Sequence, residues 1–546
     1  MSSSDVSDAV PAAPHPPAGR DSRLARNAGQ VSVATFLSRI LGLVREQVLA
    51  ALFGAGLATD AFNVAFRIPN LLRDLFAEGA LSASFVPTLT GYVAKGERRE
   101  AFRLTSLVLN GLGVVLLGIC AVMILFADPL VHLFAPGFGA VAGKLELTTS
   151  LTRWMIPFLL LIAWAAAVMG VLNAHERFFL PAAAPMALNV GMIAGGVGLV
   201  PVARWLGYEP IYGMAWGVLL GGLGQWLVQL PSLHRIGYRH RWEVDFTHPG
   251  VRRMMGLMLP ATVGLAATQV NLLVNTVIAS LLVQGSVSWL SYAFRLMQLP
   301  IGIFGVSVAT VTLPAVSRAA ALGDMDGFAR KLTGGLRLAF FLTLPATAWL
   351  VTLAPQIIGL LYQRGRFHAH DTAMTSQALW CYGVGLFAYA AVKVLVPAFY
   401  ALGETRVPVR ASFLAVGANI VLNLLLMHPL QHRGLALSTS ATMIVNFGAL
   451  LWAMRRRLPQ LRVGELAGHF SRVALASAVF AAGAWGALQG LLRVFPGHAF
   501  HEHVVVLALA SLAGTTGYVA AAAVLQVEEL GTVLGLVRKL VPGAKG

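Results

Sequence analysis

Hydrophobic residues recur along this chain in long runs, each bounded by short polar stretches. Runs long enough to cross roughly 30 Å of hydrocarbon fall at about 29–52, 61–92, 104–128, 147–173, 181–203, 211–231, 255–283, 287–316, 335–362, 374–401, 408–428, 434–454, 470–494 and 503–526. That predicts fourteen transmembrane helices. The first, second and eighth runs are the least apolar, because they carry arginines and Pro69 or Pro300. Residues 1–27 are rich in Ser, Pro and Ala and predict a disordered tail. No short apolar core precedes a small-residue cleavage site there, so it does not read as a signal peptide. An amphipathic stretch, VEELGTVLGLVRKLVPGAKG, closes the chain.

Composition agrees with the pattern. Of 546 residues 57% are hydrophobic and only 12% charged, about half the charge of a soluble chain. The net charge of +17 does not signal nucleic acid, because the basic residues lie between the hydrophobic runs. With the N-terminus inside, about 27 of the 40 basic residues fall in cytoplasmic segments and about seven outside, Lys144 among the latter. This bias predicts both termini in the cytoplasm. Cys120 and Cys381 both lie in apolar runs and suggest neither a disulfide framework nor a metal site.

An internal repeat appears at an offset of 228 residues. Ala65-Phe66-Arg67 meets Ala293-Phe294-Arg295, and Leu104-Thr105 meets Leu332-Thr333. Phe134 and Gly137 meet Tyr362 and Gly365, and Glu176 meets Glu404. Spans one to six therefore repeat as spans seven to twelve. Six is even, so the copies share orientation about an axis along the membrane normal. The predicted organisation is a six-span lobe over 28–245, a second over 246–460, and spans thirteen and fourteen with the tail over 461–546. The last two spans are rich in small residues, which can line a shallow furrow or let two helices pack closely.

Six basic residues lie inside the runs: Arg39, Arg45, Arg67, Arg73, Arg295 and Lys393. A cation at the bilayer centre costs roughly 2.5–3.5 kcal/mol on insertion scales. One reading is a basic chamber holding an anion, with Arg67 and Arg295 facing each other from equivalent places. The other is snorkelling from span ends, or pairing with Glu46, Asp60, Asp74 and Glu78. A planar guanidinium suits phosphate, since it offers two parallel charge-assisted hydrogen bonds. Asp60 reads either as a site residue or as a helix N-cap, and Asp74 as the i+7 partner of Arg67. The second lobe's runs hold no Asp or Glu.

Several segments resemble the MurJ (MviN) family of lipid II flippases, within the superfamily of multidrug, oligosaccharidyl-lipid and polysaccharide exporters. They are SRILGLVRE (38–46), TDAFNVAFRIPNLLRDLFAEGALSASFVP (59–87), FLPAAAPMALN (179–189), SWLSYAFRLMQLPIG (288–302) and AVKVLVPAFYALGETRVPV (391–409). The resemblance implies an all-α polytopic protein of two six-helix lobes in a V, with two extra helices forming a lipid-tail groove. The substrate it implies is lipid II, the undecaprenyl-pyrophosphate-linked disaccharide pentapeptide of peptidoglycan. It also implies the bacterial inner membrane, with membrane lipids and other cell-wall synthesis proteins as partners. By motif, Arg39, Arg45, Arg73 and Arg295 match the family's pyrophosphate-binding arginines, and Asp60 and Glu78 its functional carboxylates. Phe294 and Gln298 stand where many relatives carry acids, which counts against a sodium site. No catalytic residue, metal or cofactor is expected. The alternatives are an exporter of another lipid-linked oligosaccharide and a multidrug antiporter of the same superfamily. A membrane glycosyltransferase would need catalytic carboxylates near a sizeable outer loop, and the outer loops are short.

Overall fold

The computed structural model describes residues 19–74, 81–495 and 500–531, together with 533 and 535. Among them there are helices and no strands. This is the physics of a chain in lipid, where each backbone N–H and C=O must find its partner within its own segment. The first half runs α1 (Gly19–Phe53), α2 (Leu57–Leu72), α3 (Ser82–Ala94), α4 (Arg98–Leu125), α5 (Ala127–Phe134), α6 (Lys144–Met155), α7 (Phe158–Ala174), α8 (Phe179–Ala194), α9 (Val200–Trp205), α10 (Tyr212–Leu227) and α11 (Leu230–Arg235). The second runs α12 (Pro249–Ser280), α13 (Ser286–Pro300), α14 (Val306–Ala321), α15 (Met325–Thr352), α16 (Ala354–Tyr362), α17 (Ala369–Gly383), α18 (Leu386–Ala401), α19 (Arg406–Leu430) and α20 (His432–Arg457). Two further helices follow, α21 (Val463–Val494) and α22 (Phe500–Val524).

By length and apolarity alone, nine helices among the described residues can cross a membrane, or ten if the bent pair α17–α18 is one span. The eighth run passes this test as one 36-residue helix, Ser286–Ala321, despite Arg295 and Pro300. Its cost is a π-helical turn at Ile301–Gly305, which absorbs the proline's missing hydrogen bond. The sixth run is only 16 residues long as α10. The arginine-bearing first run also falls short of the test, and the second includes residues 75–80, outside the described part.

One boundary needs correction. Helix α1 begins at Gly19, inside the 1–27 stretch read as a disordered tail. The prolines end at Pro17, and Arg20, Arg23, Leu24 and Arg26 are good helix formers. The first eighteen residues lie outside the described part.

Packing is dense within each half. Helix α8 lies against α1 and α10, α7 against α3, α4 and α10, and α2 against α6. Further along, α18 packs on α14, α15 and α20, α13 on α17, and α12 on α19. Between halves, α12 meets α3 and α13 meets α2. The linker at 236–248 is strapped to α4. Asn110 Nδ2 donates to the carbonyls of Arg241 (2.7 Å) and Glu243 (2.9 Å). The Arg103 guanidinium bonds the Glu243 carboxylate and holds it below the usual carboxylate range.

Helices α21 and α22 pack on each other, and α21 on α15. The small residues serve close approach here. A Cβ on Gly514 would lie 2.9 Å from the Phe480 ring and 3.0 Å from Ala484. Gly486 and Gly490 on α21 have nothing within 4 Å of a Cβ, so that face stays open.

Candidate functional site

Helix α1 delivers Arg45 and Glu46, only 8% and 5% exposed. Two bare charges at such depth would be prohibitive, and each is compensated. Arg45 pairs with the Glu46 carboxylate and donates to Asn189 Oδ1 on α8 at 3.1 Å. The Asn189 amide is aimed by its own bond to the Ser38 carbonyl, 3.1 Å. Arg295 reaches Glu46 from α13 at 2.9 Å. One carboxylate is thus shared by guanidiniums from α1 and α13. The Arg295 side chain is 53% exposed, so much of its fork faces open space.

Arg67 on α2 donates to Thr276 Oγ1 on α12 at 2.7 Å. The Arg295 charge acts on both Arg67 and Arg45. Arg39 is exposed and lines a cavity of about 460 Å³ between α1, α7 and α8 with Ser38 and Asn173. Its guanidinium also lies so near Gly302 that a Cβ there would sit 2.4 Å from Nη1. A side chain at Gly302 would push this guanidinium aside, a cheap shift for the tip of a flexible, exposed side chain. The structure thus joins Arg45 and Arg295 through Glu46, and sets Arg67 on Thr276 and Arg39 beside Gly302.

The remaining candidates stand elsewhere. Arg73 bonds Asp74 beside it, at 2.7 Å through Nη2. The expected i+7 pairing of Asp74 with Arg67 is therefore wrong. The chain passes from α-helix to a π-helical turn at Arg73 and Asp74, and the wider turn shifts Asp74 out of the α-helical register of Arg67. Lys393 is exposed on α18. Glu78 lies outside the described residues.

Asp60 caps a helix, though not its own. Its carboxylate accepts from Gly285 N (2.8 Å), Ser288 N (3.0 Å) and Ser288 Oγ (2.6 Å) at the start of α13. It also accepts from Lys144 Nζ at 2.8 Å. Lys144 is 2% exposed and sits over the Phe138 ring at 4.1 Å. Counted by sequence among the basic residues outside the membrane, Lys144 stands at the start of α6 with its ammonium drawn inward by Asp60. Two close backbone contacts flank this clamp. Gly137 packs on the end of α12, where a Cβ would meet Ser280 O at 2.2 Å. Gly365, at φ +58°, packs on the end of α1, where a Cβ would meet Ala51 O at 2.1 Å. Arg366 N donates to that same carbonyl at 2.9 Å.

Sequence reasoning missed Lys144, Asn189, Thr276 and Ser288. Only Ser288 carried a signal, since it stands 228 residues after Asp60, at the offset of the repeat. In the second half a buried network of amides and hydroxyls joins α12, α19 and α20, and the buried carboxylate of Asp371 at the start of α17 accepts from Trp289 Nε1 at 3.0 Å. Asn423 donates to Asn275 (2.6 Å) and Asn419 (3.0 Å), and Asn419 to Ser438 and Thr442 (both 3.3 Å). Among the described residues no cluster of His, Cys, Asp and Glu is poised to hold a metal.

A family model for the lipid II flippase MurJ matches residues 49–507. The chain belongs to the MurJ lipid II flippase family. A probable lipid II flippase of Vibrio cholerae is 38% identical over 464 residues, covering 84% of this chain and 88% of the relative. The lipid II flippase of Burkholderia cenocepacia is 38% identical over 438 residues, covering 78% and 83%. A solved MurJ structure in an inward closed conformation has a TM-score of 0.74 at 26% identity, covering 90% of this chain and 98% of that one. An inward-facing MATE multidrug transporter shares the fold, at a TM-score of 0.65 and 16% identity. MurJ proteins are transporters, so this is a membrane flippase family and not an enzyme family.

Proposed function

We propose that this protein carries lipid II from the cytoplasmic to the outer leaflet of the bacterial inner membrane by alternating access. The observation that carries the reading is the carboxylate of Glu46, shared by Arg45 of α1 and Arg295 of α13. These helices belong to opposite copies of the sequence repeat. A pyrophosphate entering between them displaces part of the Arg295–Glu46 pairing and gains bidentate bonds from an exposed fork. Its charge offsets the repulsion among Arg39, Arg45, Arg67 and Arg295. The bound head group thereby draws the two copies together, as a rocking transporter requires.

The proposed frame is fourteen spans with both termini cytoplasmic: six in 28–245, six in 246–460, and the α21–α22 pair beyond them. Contact between residues 228 apart supports the two-fold relation. Asp60 bonds Ser288, its own repeat counterpart, as a residue on the symmetry axis does. Gly137 of one copy seats on α12, and its counterpart Gly365 seats on α1. By loop charge this end is the outer one, and these contacts close it. The amphipathic groove expected for a prenyl tail falls to α21 and α22, whose Gly486 and Gly490 leave an open face.

The test is complementation in cells depleted of the protein, with leaflet-resolved measurement of precursor. Arg45→Ala and Arg295→Ala are expected to insert normally yet leave precursor in the inner leaflet. Arg-to-Lys at either site keeps the charge, loses the fork, and is expected to impair transport. Normal growth with either alanine variant refutes the chamber.

A further inference from the structure

A second cavity, of about 330 Å³, lies away from the arginines. It sits where the outer ends of α16 and α17 meet α21 and α22. Among the described residues its lining contains no Asp, Glu, Lys or Arg. Instead Gln356, Gln363, Ser376, Gln377 and His503 converge on it, with Trp380 forming part of the wall. Leu492 of α21 and Val506 of α22 supply its apolar side. Among the described residues the buried Gln356 Oε1 finds no hydrogen-bond partner. An orphaned buried acceptor of this kind is uncommon and calls for a donor. Gln363 Oε1 is already engaged by Thr372, at 2.9 Å, and Ser376 Oγ by the Thr372 carbonyl, at 2.6 Å. The guanidinium of Arg364, next in the chain to Gln363, is turned to the Phe500 ring and the Leu360 carbonyl.

A lining without Lys or Arg does not favour a phosphate or a carboxylate. It also does not favour a prenyl tail, because carboxamides and a hydroxyl would lose their water without return. It suits a neutral ligand dense in hydroxyl and amide groups, with one apolar face for an aromatic ring. Primary amides offer both donor and acceptor to such a ligand, and the half-exposed Trp380 offers the face. We propose that this cavity binds one neutral N-acetylhexosamine-sized sugar on the outer side of the membrane.

The sugar belongs either to the transported lipid after crossing or to free glycan outside. The first source rests on the flippase reading, and the binding itself does not. The test uses the full chain in lipid nanodiscs and an N-acetylglucosamine disaccharide, with binding followed by calorimetry. Binding is expected, and is expected to weaken about tenfold in Gln377→Ala and in Trp380→Ala, the loss that follows from removing one good contact. Arg45→Ala is expected to bind the disaccharide as the parent does, which separates this site from the chamber. No binding, or binding unchanged in both lining variants, overturns the proposal. Gln356→Met serves as a third variant, filling the same volume without the orphaned oxygen. A transport arm then distinguishes the sources. Slower flipping of disaccharide-bearing lipid by Trp380→Ala, with sugar-free prenyl pyrophosphate unaffected, assigns the site to the transported lipid. Unchanged flipping of both, with disaccharide binding still lost, assigns it to free glycan.

Discussion

Gly365→Ala separates the closed outer end from the rest of the molecule. The new Cβ would lie 2.1 Å from the Ala51 carbonyl oxygen, so the turn must retreat by roughly 1 Å to reach ordinary contact. That retreat breaks the 2.9 Å bond from Arg366 N to Ala51 O. Contact and bond together cost about 1–2 kcal/mol, and only while this end is closed. The left-handed φ of +58° adds roughly 1–2 kcal/mol for any non-glycine residue, but in both states if the turn keeps its shape. The closed-to-open ratio should therefore fall about 5- to 30-fold. Asn63, which donates to Ser288 at 3.5 Å, reports on the opening. In a chain with Cys120 and Cys381 replaced, Asn63→Cys should react with an impermeant maleimide 5- to 30-fold faster once Gly365→Ala is added, on the same estimate of about 1–2 kcal/mol. Gly143→Ala is the control, since Gly143 has a φ of +74° with nothing within 4 Å. Equal acceleration by both variants, or none by Gly365→Ala, would falsify the idea that this glycine seals the outer end.

Glu46→Gln leaves two guanidiniums without their shared carboxylate, and breaking a buried pair costs about 3–5 kcal/mol. Its thermal unfolding midpoint should drop, while the Arg45→Leu/Glu46→Leu double variant should recover stability but not transport. Flipping should persist when sodium is replaced by potassium at fixed potential, because the buried polar groups described on α12, α19 and α20 are amides, hydroxyls and the His432 imidazole, with no carboxylate among them. The drive expected instead is the membrane potential, worth about 2.3 kcal/mol per charge per 100 mV, and arrest without sodium would contradict this. For topology, cysteines at Gly139 and Arg364 should label from outside and those at Arg99 and Arg330 from inside, all four positions being exposed. Gly137 and Gly365 are unsuitable probes because both are packed against backbone.

The hydrophobic runs made the helical class, the arginine set and the family legible in the chain itself. Lipid leaves a long apolar run little choice but helix, and intramembrane cations are too costly to be incidental. The repeat was equally legible, because matched Arg, Gly and Glu survive where apolar letters carry no register. The tertiary structure alone decided the partners. Asp60 has a free choice in sequence between its own helix and another. Packing of α2 on α13 gives it the N-terminus of α13 and the ammonium of Lys144. Glu46 reads as one acid beside one arginine, and only the approach of α13 makes it the bridge to Arg295. Neutral residues such as Asn189 and Thr276 gave no warning, since a buried amide or hydroxyl costs too little in a hydrophobic run to stand out. Ion pairs and hydrogen bonds act over about 3 Å, and that distance is set by helices hundreds of residues apart in the chain.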